Sequence, residues 1–309
     1  MINEKMFKNC KSIELENEVL KMIIIPSMGG KVVSIYRKDK KFELLYQNKE
    51  EKYKKAKIYD DFSFYDASGF DDAFPTIDES SVNINGKDVL YPDHGEIWST
   101  SFDYKIKGKE IELLFESKIF NYRYKKTFSM IGDSFEVKYE ILNIGLMVFP
   151  CIWAMHCLIR CEEDMELLLP SGTKEVINVM KSNLLGAVGD TYTYPETINN
   201  QGNSMKLNTV RPLVANDMEK FYVKRNVNEG YCGAYYPSKD IKYEVYYEKE
   251  KLPYLGVWIS EGGYKGDYNC ALEPTNGYYD SIDIAKKEDG LFLLKPKESL
   301  KFKLRISLK

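Results

Sequence analysis

The segment LKFKLRISL (residues 300–308) alternates without a break: Leu300, Phe302, Leu304, Ile306 and Leu308 on one side, Lys301, Lys303 and Arg305 on the other. A side chain returns to the same side every second residue only in an extended chain, so this pattern demands a strand with one apolar and one wet face. The same period recurs in EIELLFESKI (110–119), where Ile111, Leu113, Phe115 and Ile119 oppose Glu110, Glu112, Glu116 and Lys118. It recurs again in SFEVKYEI (134–141), with Phe135, Val137, Tyr139 and Ile141 against Glu136, Lys138 and Glu140. One wet face is the habit of antiparallel sheets. Further strands are expected at 19–25, 31–36, 42–46, 122–129, 231–236, 242–248 and 255–259, and the spacing predicts hairpins at INGK (84–87), KGKE (107–110) and IGDS (131–134), with Asn85-Gly86 the sharpest turn signal. Helical periodicity is almost absent, there is no short internal repeat, and the polar, Asn/Thr-rich stretch 182–216 reads as a long excursion over one face. The expected architecture is all-β: a single large antiparallel β-sandwich over residues 1–309.

Composition narrows the function. With 44% hydrophobic and 29% charged residues the chain can bury a core and stay in solution, and its net charge of −3 gives no electrostatic case for nucleic acid or an anionic membrane. The lysine-rich stretch NKEEKYKKAK (48–57) is mixed in sign and reads as a solvated loop. The first residues lack the apolar core of a signal peptide, and the run Met22–Pro26 is too short to cross a bilayer. Six cysteines, none in a C-x-x-C pair, are expected to be reduced thiols, and the cytoplasm is the expected compartment. The 24 tyrosines suit half-buried strands and also suit stacking on sugar rings.

The chain has only two histidines, His94 in YPDHGEIWS and His156 in WAMHCLIR, and a third distinctive context, CALEPTNGYYDS, holds Glu273 between apolar residues and Pro274. Partial desolvation there would raise the carboxyl pKa toward that of a useful general base. Two histidines and a carboxylate allow three chemistries. A metal site is one, although no close ligand spacing supports it. A Cys157–His156 dyad is another, but neighbours on a strand point to opposite faces. The third is acid/base work on a substrate held between Glu273 and His156.

These residues carry a resemblance to the aldose 1-epimerase (galactose mutarotase-like) family. MGGKVVSIYRKDKKFELLYQ (28–47) is similar to the family's opening, and GFDDAFPTI (69–77) with DHGEIWS (93–99) resembles its first active-site block. WAMHCLIRCEEDMELLLP (153–170) resembles the block with the catalytic histidine, and LPYLGVWISEGGYKGDYNCALEPTNGYYDSI (252–282) the block with the catalytic glutamate. The order of the blocks matches through nearly the whole chain.

The resemblance implies a β-supersandwich and an enzyme that interconverts the anomers of a free sugar without metal, nucleotide or other cofactor. Glu273 would act as general base on the anomeric hydroxyl, His156 as an imidazolium would protonate the ring oxygen, and His94 would hydrogen-bond near that oxygen. Three departures stand out. Where many mutarotases carry an arginine, Asp71 and Asp72 occur, and no arginine lies between Arg37 and Arg123, which weighs against a phosphosugar. The Pro-Tyr-Phe-Asn that follows the second histidine in the family is here Cys157-Leu158-Ile159-Arg160. A family aspartate is matched by Glu219, beside Lys220. Asp72, Glu96 and Glu219 are the expected contacts to sugar hydroxyls, and Trp98, like Trp153 and Trp258, is a candidate for stacking on a sugar face. A non-catalytic sugar-binding protein, or an epimerase of a phosphosugar or other derivative, remains the alternative.

Overall fold

The structure, a computed structural model, describes every residue except Asn85. Its architecture is the expected antiparallel β-sandwich. A 12-stranded sheet is built on a central run of Lys31–Arg37, Gly69–Ala73, Ala154–Arg160, Tyr268–Thr275, Tyr254–Glu261 and Asp217–Val223, in that spatial order. An 8-stranded sheet packs against it and includes Tyr122–Ile131, Ser134–Asn143 and Ser299–Leu308. The alternating segments do what their pattern requires. Leu300, Leu304 and Ile306 are buried while Lys301, Lys303 and Arg305 are exposed. Ile111 and Leu113 are likewise buried, but that strand ends at Glu116, so Ile119 lies beyond it and is exposed.

Strands pair across all three expected hairpins, Ile84 with Lys87, Lys107 with Glu110 and Ile131 with Ser134. Asn85 itself lies outside the described residues. Gly108 and Gly132 take φ of +62° and +60°, the left-handed conformation such turns need. The stretch 182–216 is less of an excursion than expected, because Thr191–Thr193 pairs with Glu175–Asn178 at the edge of the large sheet. An amino-terminal hairpin, Ile2–Phe7 with Cys10–Glu16, extends the opposite edge. A single α-helix, Ile282–Lys287, occurs among the described residues, capped by the Ser281 side chain. No helix among them is long and apolar enough to cross a membrane.

The large sheet has two unlike faces. Phe70, Met155, Cys157, Phe221, Val257 and Leu272 belong to the main apolar cluster, which the 8-stranded sheet completes with residues such as Phe128, Val137 and Leu304. Leu158 and Ala271, one position out of phase, belong to a separate cluster with Phe62, Ala67 and Trp98. That second cluster is the outer face, where the loop before Gly69 folds over the strands.

Candidate active site

Strand register brings the two principal residues together. Ala154 pairs with Thr275 and Ile159 with Cys270, so His156 lies directly opposite Glu273 on the neighbouring strand. Opposed residues share a face, and both line an outer-face cavity of about 290 Å³. Further strands add Trp258 and Lys220, which pair with each other, and Phe62, Ile77, Asp78, His94, Tyr264 and Asp280 are among the other lining residues.

His94 arrives on a tight turn. It adopts φ +56°, its amide donates to the Ile77 carbonyl at 2.6 Å, and its Nδ1–H donates to Asp93 Oδ1 at 2.9 Å. This leaves Nε2 for a ligand. Gly95 makes the turn possible, since a Cβ there would lie 2.0 Å from the Phe74 carbonyl oxygen. The His94 ring stacks on Phe62, with centroids 3.9 Å apart at 12°, and stands edge-on to His156 at 5.0 Å.

Glu273 is only 2% exposed, and its Oε2 has no hydrogen bond. The nearest cation is Lys220 Nζ, 3.6 Å away, which binds Asp280 Oδ2 more closely at 2.9 Å. Asp280 Oδ1 accepts from the Tyr222 hydroxyl at 2.6 Å. Gly256 gives these groups room, because a Cβ there would come within 3.2 Å of Glu273 Oε2. Burial raises the Glu273 pKa, against the opposing pull of Lys220, and Asp280 adds to the rise. Burial would lower the Lys220 pKa, but Asp280, Glu273 and Asp78 together hold it above the ordinary lysine value. Burial, reinforced by His94, Lys220 and Lys31, pushes His156 well below the usual histidine range. The expected imidazolium is therefore an imidazole in the free protein at neutral pH.

Four expected ligand contacts do not line this cavity. Asp72 faces the core between the sheets, where Lys126 Nζ (2.8 Å), Tyr124 (3.0 Å) and Tyr139 (2.9 Å) bind it. Glu219 points the same way as Ile259, its cross-strand partner, and is bound by the Ser182 hydroxyl. In each case the adjacent residue, Asp71 or Lys220, has the outward direction, as strand alternation requires. Glu96 accepts from Tyr122 at 2.7 Å and anchors the His94 turn to the other sheet. Trp98 supports that turn from behind: its Nε1–H donates to the Asp93 carbonyl at 3.1 Å, and its ring packs edge-on against Phe62. Of the three tryptophans, Trp258 lines the cavity, whereas Trp153 is fully buried. Cys157 faces the core and meets the Tyr243 hydroxyl at 3.8 Å, so it forms no dyad with His156. Among the described residues, no group of three or more His, Cys, Asp and Glu side chains is arranged to hold a metal ion.

Residues 1–285 match the family described as "domain of unknown function (DUF5107)". The chain belongs to that family. No curated protein matches it in sequence. Solved structures do match. The Slr1438 protein from Synechocystis sp. PCC 6803 is 16% identical with a TM-score of 0.72, covering 100% of this chain and 99% of that one. A galactose mutarotase-like protein from Lactobacillus casei ATCC 334 is 17% identical with a TM-score of 0.70, covering 96% and 100%. Another, from Clostridium acetobutylicum, is 16% identical with a TM-score of 0.67, covering 100% and 98%. The fold of this DUF5107 protein is thus the galactose mutarotase-like β-sandwich.

Sequence reasoning passed over two residues that line the cavity, Asp280 and Asp78. Asp280 stands in the same motif as Glu273, and Asn276 and Gly277 are the signal for its return. Asn276 Oδ1 accepts from the Trp153 amide at 2.6 Å, and a Cβ on Gly277 would come within 2.4 Å of Ile152, so the chain is pinned as it turns back toward Lys220. Asp78 follows from the same place, because its amide and that of Ile77 both donate to the Asp280 carbonyl.

Proposed function

We propose that this protein is an aldose 1-epimerase-like isomerase, residues 1–309 acting as one domain, that interconverts the anomers of a free monosaccharide. The observation that carries the reading is the opposition of His156 and Glu273 across one pair of strands, both facing the cavity. Its volume of about 290 Å³ is at the small end of ligand pockets, which run roughly 300–1,000 Å³. Phe62, Trp258 and Tyr264 offer apolar walls to the C–H faces of a ring. The six thiols are all free, which supports a reducing compartment such as the cytoplasm.

The chemistry needs one proton shared by the pair. Ionised Glu273 takes the proton of the anomeric hydroxyl while protonated His156 gives one to the ring oxygen. The C1–O bond breaks, C1 becomes a carbonyl carbon, rotation about C1–C2 exposes its other face, and closure returns both protons. In this reading His94 Nε2 orients the sugar, and Lys220 favours ionised Glu273 against its burial. Because burial disfavours charge on both partners, the ionised pair competes with its neutral tautomer, protonated Glu273 beside neutral His156. Activity therefore falls when the pair holds two protons and again when it holds none.

The test is anomer exchange of neutral aldoses followed by NMR, together with an NMR titration of the His156 ring. The expected result is exchange above the spontaneous rate and an apparent His156 pKa below the unperturbed value of about 6.5. Sugar binding without exchange would reduce the protein to a sugar-binding module, and a His156 pKa above that value would overturn the proton assignment.

A further inference from the structure

The charge around the cavity is unbalanced. Asp78, Glu273 and Asp280 line it against the single cation Lys220, and no arginine is among the lining residues. Lys220 is already committed, at 2.9 Å to Asp280 and 3.6 Å to Glu273. Asp280 is satisfied on both oxygens, by Lys220 and by the Tyr222 hydroxyl. Two carboxylates are left over. Glu273 Oε2 is buried on the cavity wall without a hydrogen bond. Asp78 stands exposed at the rim, its backbone fixed by the Asp280 carbonyl at 2.9 Å, and its carboxylate has no hydrogen-bond or ion-pair partner among the described residues. The His94 Nδ1–H is spent on Asp93.

From this layout we infer that the substrate is a monosaccharide carrying an ammonium group, with neutral sugars accepted less well and phosphorylated or carboxylated sugars turned away. The inference rests on the isomerase reading for its reaction but not for its binding order. An ammonium brings donors and a second positive charge to two carboxylates that accept no hydrogen bond and share one lysine with Asp280. A neutral hydroxyl brings donors only. A phosphate or carboxylate brings more acceptors to a wall that already has an excess, and like charges placed together inside a concave, low-dielectric site repel strongly.

The experiment uses the full chain and four probes: glucose, glucosamine, glucose 6-phosphate and glucuronate, at about pH 6, where the amine is charged. Catalysed anomer exchange is read by NMR after subtraction of the spontaneous rate, and binding of the same four probes is read by calorimetry. The expected order is glucosamine over glucose by about tenfold, and glucose over either anion by about tenfold or more. Asp78→Asn should shrink the glucosamine-to-glucose ratio several-fold. Asp78→Lys, at an exposed position where folding is safe, should shift preference toward glucose 6-phosphate. Raised salt should compress the series. An anion bound or converted as well as glucose, or a ratio indifferent to both Asp78 variants, overturns the inference and leaves the isomerase reading intact. The expected binding order with no exchange of any sugar overturns the isomerase reading and leaves the inference intact. No binding and no exchange overturns both.

Discussion

Two lysines, Lys126 fully buried and Lys220 partly so, contact opposite faces of the same large sheet, and they behave differently. On the core face, Lys126 Nζ meets Asp72 Oδ2 at 2.8 Å, and two tyrosine hydroxyls occupy the rest of that carboxylate. On the outer face, Lys220 divides itself between two carboxylates, and Glu273 Oε2 is left without a bond. Asp72 and Glu273 are buried to a similar degree, so burial alone does not distinguish the two carboxylates. The difference is completeness. A network in which both carboxylate oxygens are bonded specifies and rigidifies a fold, whereas a buried acceptor kept open is a standing cost that a ligand can remove.

The sharpest way to break this comparison is Glu273→Gln. Loss of a positioned proton acceptor should slow anomer exchange by about 10²–10⁴-fold, while thermal unfolding shows unchanged or higher stability, because a poorly compensated buried charge is gone. Retained exchange would return Glu273 to the structural class. Lys126→Met should do the reverse. Stranding Asp72 in the core should cost about 3–5 kcal/mol in denaturant unfolding, and a loss well under 1 kcal/mol would show that the core pair is not closed as described.

Glu219 sharpens the comparison through pH. Burial, opposed in part by the Ser182 hydroxyl, pushes its pKa up to about 7. A carboxyl raised on folding contributes stability that is fully present below its unfolded pKa, about 4.3, and lost as pH rises through the folded value. Urea unfolding should therefore show stability declining from pH 4.5 toward pH 7, by about 3 kcal/mol from this group at most. Asp71, held up at about 6 chiefly by burial, has the same sign. Glu219→Gln should flatten the decline, and an unchanged slope would refute the assignment. The smallest effect is expected from Phe62→Leu. Removing the ring stacked on His94 should cost about 0.5–1.5 kcal/mol of positioning, seen as a fall in kcat/KM of up to roughly tenfold. No fall at all would show that the turn holds His94 by itself.

The fold was legible in the sequence wherever a strand had one wet face, as at 110–116, 134–143 and 299–308. The central strands gave weaker signals because both of their faces are covered. Asp217–Val223 carries an apolar run at one end and mixed charges at the other, so its phase could not be read from alternation. That is why the expected sugar contacts at Asp72 and Glu219 fell one residue away from the outward-facing Asp71 and Lys220: a shift of one position on a strand reverses the face. His94, His156 and Glu273 were visible because rare residues stood in distinctive contexts. Asp280 and Asp78 were not, since carboxylates in turns are common and only the tertiary path brings them to Lys220.

Because His156 and Glu273 face each other on the same rung of one ladder, the spacing of their backbones is fixed by the distance between neighbouring strands, about 4.7–4.9 Å, and not by any loop. The residues at the cavity's mouth, Asp78 among them, come from connecting segments. Loop exchange should therefore change which ligand the cavity admits while the spacing of this pair of strands stays untouched.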